Sequence, residues 1–193
     1  MTIPIDPHVE ALIFDLDGTV LDTMAVHHQA WRETVAPHGI DMNDELFGIV
    51  AGKTSHDIVD ALNERFGLRL DAGTVAIAKD QAYVRHAPLI YPFPRVLAFL
   101  ESVSCRYPLG AATNEGFGIA NIVLRTTGLA PHFRVLVTAD DVERPKPAPD
   151  IFLACAERLQ VPPERCQVYE DSEYGILAAE AAGMVVTDIK PYL

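Results

Sequence analysis

Five short runs of this chain are apolar at nearly every position instead of at alternate ones: Ala11–Phe14, Leu109–Ala112, Val135–Thr138, Cys166–Tyr169 and Met184–Thr187. A strand wetted on one face alternates; a strand covered on both faces does not. Between the later runs, apolar residues recur at helical spacing over Arg95–Ser102, Ile119–Thr127, Asp150–Leu159 and Tyr174–Ala182. Buried strands that alternate with helices require parallel pairing and crossover connections. The expected fold class is therefore α/β, a doubly wound parallel sheet.

One region breaks that rhythm. From about Thr23 to Leu89 no strand is evident, and the helical candidates are Met24–Pro37, Asp44–Val50, Ser55–Phe66 and Ala72–His86. This is too much helix for a single crossover, so an inserted helical subdomain is expected. It divides the chain into a core of residues 1–22 and 90–193 and an insert of 23–89, hinged near Leu21–Thr23 and Tyr91–Pro94. The YPFP stretch reads as a stiff return linker, because proline limits φ and biases the residue before it towards extended backbone.

In open α/β sheets the ligand site lies at the carboxyl ends of the strands. The residues that follow the first four runs are Asp15, Asp17 and Gly18; Thr113 and Asn114; Ala139-Asp140-Asp141 with Lys146 beyond; and Glu170, Asp171 and Ser172. The carboxylates of Asp15, Asp17, Glu170 and Asp171 cannot all stay ionised in one cleft without a cation. Oxygen ligands alone favour a hard ion, Mg²⁺ above all. A cation beside Thr113, Asn114 and Lys146 suits an anion with several oxygens, and phosphate fits best. An aspartate could then attack phosphorus while a second, two residues on, moves the proton.

Each piece has a plainer explanation. DxDG could be a turn, Thr113-Asn114 a helix cap, Lys146 an exposed turn between prolines, and Glu170-Asp171-Ser172 the acidic first turn of a helix. Four such coincidences at successive strand ends are much less expected than one site.

Composition restricts the partners. A net charge of −12 argues against nucleic acid and anionic membranes. No apolar stretch is long enough for a membrane span, and no leader is evident in MTIPIDPHVE. Cys105, Cys155 and Cys166 are odd in number and scattered, so they read as reduced, semi-buried thiols of a cytoplasmic protein. The expected partner is a small phosphorylated metabolite, and the expected state is a monomer or weak dimer.

FDLDGT, Thr113, the lysine of KPAPDIF and EDSEYGILAAEAAGM together resemble the haloacid dehalogenase-like (HAD) superfamily of phosphotransferases, over nearly the whole chain. The resemblance implies a Rossmann-like core, and a small helical cap like that of β-phosphoglucomutase and related sugar-phosphate phosphatases. It implies Asp15 as nucleophile and Mg²⁺ ligand. Asp17 becomes the general acid/base, with its backbone carbonyl on the metal. Thr113, the Asn114 backbone amide and Lys146 become phosphoryl-binding groups, with Gly18 and Thr19 beside them, and Glu170 and Asp171 become metal ligands.

In the cap, Thr23, His27 and Trp31 are similar to residues at the cap–core interface of β-phosphoglucomutase, Lys79 matches a cap lysine near substrate, and the resemblance implies His27, Trp31, Lys53 and Lys79 as substrate-binding residues. Trp31 could equally be packing, and Lys53 and Lys79 plain solvated charges. Two departures favour a phosphatase. Thr19 stands where the mutase commonly has valine, and Ser55 stands where it has a phosphate-gripping arginine that Lys53 would only partly replace. The resemblance is strongest to phosphatases of the fructose-1-phosphate type. The alternatives are a β-phosphoglucomutase-like isomerase, a 2-haloacid dehalogenase and a receiver-type phospho-acceptor domain. In the last the acidic pair and the phosphorylated aspartate lie on different strands.

Overall fold

The computed structural model of the protein describes residues 2–50 and 52–193. In chain order the elements are β1 (Ala11–Phe14), β2 (Leu21–Asp22), α1 (Met24–Val35), α2 (Asp44–Val50), α3 (Ser55–Phe66), α4 (Ala72–His86), β3 (Tyr91–Pro92), α5 (Pro94–Val103), β4 (Leu109–Ala112), α6 (Phe117–Thr126), β5 (Val135–Val137), α7 (Asp150–Leu159), β6 (Cys166–Glu170), α8 (Glu173–Ala181) and β7 (Val185–Asp188). The main sheet has the order β5-β4-β1-β6-β7. Its pairs are all parallel, with Phe14 opposite Ala111 on one side and Tyr169 on the other. The expected doubly wound parallel sheet is the observed one.

Both faces of the sheet are covered, which is why its strands do not alternate. Ala11 and Ile13 pack with Val168, Phe152, Cys155 and Ala178 from one side. On the other, Phe14 stacks on Tyr169 with ring centroids 4.7 Å apart, and Phe99 of α5 meets Phe14 edge-on at 6.2 Å. Such pairs add about 0.5–1.5 kcal/mol beyond the area they bury.

Several boundaries differ from the periodicity. Met184 belongs to the turn after α8, its N–H donating to Ala179 O at 3.1 Å, so β7 begins one residue later than expected. β6 runs on to Glu170, whose backbone still pairs with Asp188. α1 stops at Val35 and tightens into a 3₁₀ turn over Ala36–His38, because Pro37 brings no N–H to an α-helical turn. YPFP is not only a linker: Tyr91 and Pro92 pair antiparallel with Asp22 and Leu21, and Pro94 opens α5 at a first-turn position where its missing N–H costs nothing.

The chain forms two compact units, Met1–Asp22 with Tyr91–Leu193, and Thr23–Ile90. The second has its own apolar core, built from Trp31, Val35, Met42, Leu46, Ile58 and Leu62 among others. Its helices are capped locally, Thr54 accepting from Asp57 N and Asp71 from Thr74 N. Glu33 on α1 accepts from Arg85 Nη2 at 3.0 Å and pairs with His86 Nε2 at 2.9 Å, tying α1 to the end of α4.

Candidate active site

The loop after β1 is shaped by its backbone. Asp15 N–H donates to Tyr169 O at 3.1 Å, which carries the β1–β6 ladder one residue past the strand and fixes Asp15 at the carboxyl edge. The N–H groups of Thr19, Val20 and Leu21 then converge on Leu16 O. Gly18 sits at φ +85°, and a Cβ there would stand 2.7 Å from Asp171 Oδ2, so glycine is needed both for the turn and for the close approach. Thr113 is held in the same way, its N–H donating to Val137 O at 3.0 Å.

Around Asp15 the strand ends meet. Lys146 Nζ donates to Asp15 Oδ1 at 2.6 Å, to Glu170 Oε2 at 2.7 Å and to Ala112 O at 2.9 Å. The ammonium also lies 4.8 Å from the centre of the Phe152 ring. Lys146 is buried, so the exposed-turn explanation fails at this position. Asn114 clasps the backbone of the same lysine, its Oδ1 accepting from Lys146 N at 2.9 Å and its Nδ2 donating to Lys146 O at 3.1 Å. Thr113 Oγ1 donates to Asp17 Oδ2 at 3.2 Å and accepts from Glu115 N, while the N-cap of α6 is Gly116. Capping therefore does not explain Thr113.

Glu170 and Asp171 complete the group. Glu170 Oε1 accepts from Asp171 N, Ser172 N and Ser172 Oγ. Asp171 Oδ1 accepts from Thr19 Oγ1 at 3.0 Å. Burial, then the charge of Glu170, holds the Asp15 carboxyl well above the usual carboxylate range, and Lys146 only partly opposes this. Burial followed by the charge of Glu170 pushes Asp171 up to about 6. Burial works against the charge on Lys146, yet Asp15 and Glu170 together hold its ammonium above the ordinary value.

These shifts describe acids crowded beyond what one lysine neutralises. Among the described residues, Asp15, Glu170 and Asp171 each bring a carboxylate oxygen within 4.8 Å of the others. An all-oxygen donor set of this kind suits a hard divalent cation. The side chain of Asp17 stands outside this trio.

Other expected residues are placed differently. Asp140 and Asp141, which also follow a strand, have local work: Asp140 Oδ2 accepts from Phe117 N at the start of α6, and Asp141 closes a capping box with Thr138 and pairs with Arg158. Trp31, expected near substrate, is 1% exposed inside the apolar core of its own unit; packing accounts for it. His27 is buried against the Tyr83 ring, 4.3 Å between centroids, and Lys79 is buried with Nζ 5.1 Å from the same ring, so Lys79 is not a solvated charge. Lys53 is half-buried in the turn before α3, and Ser55 is the first residue of that helix. Cys105 is exposed rather than semi-buried, while Cys155 and Cys166 are buried, and all three are free thiols.

Sequence reasoning placed Ser172 at the strand end without a role of its own and did not single out Gly175. Both touch Glu170, and the signal was the short spacing of EDSEYG, where a helix N-cap follows the acidic pair directly.

Known proteins resemble this chain over most of its length. The fructose-1-phosphate phosphatase YqaB of Escherichia coli is 39% identical over 93% of this chain and 95% of its own length. A phosphorylated carbohydrates phosphatase of Thermotoga maritima is 33% identical over 91% of this chain and 82% of its own length. The crystal structure of β-phosphoglucomutase from Clostridium difficile superposes with a TM-score of 0.84 at 29% identity, over 92% of this chain and 83% of that one. The family model described as haloacid dehalogenase-like hydrolase matches residues 9–183. A family match over most of the chain and a relative this similar over nearly its whole length lead to one conclusion: this chain belongs to the haloacid dehalogenase-like hydrolases.

Proposed function

We propose that this protein is a Mg²⁺-dependent phosphatase that hydrolyses small sugar phosphates, fructose 1-phosphate or a close analogue, through an aspartyl-phosphate on Asp15. The observation that carries this reading is Asp15 at the carboxyl edge of β1, bonded to Lys146 and grouped with Glu170 and Asp171, with Asp17 two residues on. Bound among these carboxylates, Mg²⁺ would offset their charge and polarise a phosphoryl oxygen. Asp15 forms the new bond to phosphorus while the bond to the sugar oxygen breaks, and Asp17 protonates the departing oxygen. Asp17 then takes a proton from water as that water attacks phosphorus, which frees Asp15 and inorganic phosphate. Lys146, Thr113 and the backbone N–H of Asn114 hold the phosphoryl oxygens.

The sugar-phosphate substrate class is supported by the E. coli and T. maritima relatives, named as a fructose-1-phosphate phosphatase and a phosphorylated carbohydrates phosphatase. Residues 23–89 are read as the cap that selects substrate, and the free thiols support a reducing, cytoplasmic setting. A β-phosphoglucomutase-like isomerase is the second reading, favoured by the C. difficile structure. Ser55 opposes it, because a bisphosphate intermediate needs a grip on the phosphate that does not react.

A phosphate-release screen over phosphorylated sugars tests this directly. Release is expected to need Mg²⁺ and to fall on the order of 10³-fold or more in Asp15→Asn. Full activity in excess chelator or in that variant overturns the mechanism. Conversion of β-glucose 1-phosphate to glucose 6-phosphate that depends on a bisphosphate activator would establish the mutase instead.

A further inference from the structure

We propose that Ser172 and Gly175 are positioning residues that lock the Glu170 carboxylate in place for the cation; this rests on the Mg²⁺ reading above. Glu170 is 1% exposed. Its Oε1 accepts three donors, Asp171 N at 3.0 Å, Ser172 N at 3.0 Å and Ser172 Oγ at 2.9 Å. Ser172 Oγ in turn accepts from Gly175 N at 3.0 Å, so its one proton is committed to Glu170. With Oε1 anchored to the start of α8, Oε2 is left for the side of the carboxylate that faces Lys146 and Asp15.

Helix capping alone would explain a hydroxyl at 172, since serine is a favoured N-cap. It does not explain the glycine. Gly175 has no positive φ, so its backbone does not call for glycine. A Cβ there would collide with Glu170 Oε2 and the carboxyl carbon. The missing side chain is the space that the carboxylate fills. One residue pulls Oε1 in and the other makes room for Oε2, and both act on the same rotamer. Groups that orient a metal ligand typically account for about 10–100-fold in metal affinity.

The test is calorimetric titration of Mg²⁺, without substrate, into the full chain as wild type, Ser172→Ala, Ser172→Thr and Gly175→Ala. Ser172→Ala and Gly175→Ala are each expected to weaken Mg²⁺ binding about 10–100-fold. Ser172→Thr, which keeps the hydroxyl, is expected to restore most of the loss. Variants that melt lower yet bind Mg²⁺ as tightly as wild type would show capping and packing only, and overturn the proposal. If Gly175→Ala does not fold, the Ser172→Ala and Ser172→Thr pair decides alone. A wild-type protein that binds no Mg²⁺ overturns the cation reading itself, and this proposal with it.

Discussion

Thr19 is 0% exposed and donates to Asp171 Oδ1 at 3.0 Å, so its hydroxyl is part of the acidic group and not merely a marker of subfamily. Valine has nearly the same shape and no donor. A hydrogen bond to a charged acceptor contributes about 1.5–3 kcal/mol, and Asp171 is already pushed up by burial. Thr19→Val is therefore expected to lower stability by about 1–3 kcal/mol at neutral pH, read from urea unfolding of the metal-free protein. An unchanged midpoint would mean that the hydroxyl is replaced by solvent.

At the scale of elements, β4 and α7 approach so closely that one position has no room for a side chain. A Cβ on Gly110 would collide with Cys155 Sγ and lie 3.1 Å from Leu159 Cδ1. Cys155 is fully buried in the core, so it has little freedom to move aside. Gly110→Ala is expected to destabilise by about 1–3 kcal/mol through overpacking, and chemical denaturation with an unchanged m-value would confirm the cause. The same packing carries the site, because β4 ends at Ala112, whose carbonyl receives Lys146 Nζ. A shift of β4 that moved that carbonyl would also lower phosphate release.

For the whole molecule, the two compact units each bury their own apolar residues, and the three thiols, all in the first unit, differ in exposure. Cys105 is exposed, whereas burial raises the Cys155 thiol far above its ordinary value and pushes Cys166 up to about 11. The thiolate is the reactive form. Native protein is thus expected to react rapidly at one thiol with an aromatic disulfide reagent, and at all three in denaturant. Two fast thiols in the native state would show that the sheet and its covering helices open more readily than their packing implies.

Much of this was legible in the chain itself. β1, β4, α2, α3, α4 and α7 lie where periodicity puts them, because a strand covered on both faces and an amphipathic helix each leave a local, repeating signature. Asp15, Thr113, Lys146 and Glu170 were legible for a related reason: parallel strands bring their carboxyl ends to one edge wherever the intervening chain goes. What the sequence could not determine is the pairing among them. Lys146 meets Asp15 across 131 residues of chain, and Trp31 turns inward to a core built from three further helices; neither leaves a local trace. Periodicity records which face of an element is apolar. Only the tertiary structure decides which buried charge answers which, because that depends on distances of a few ångströms between residues that the sequence holds far apart.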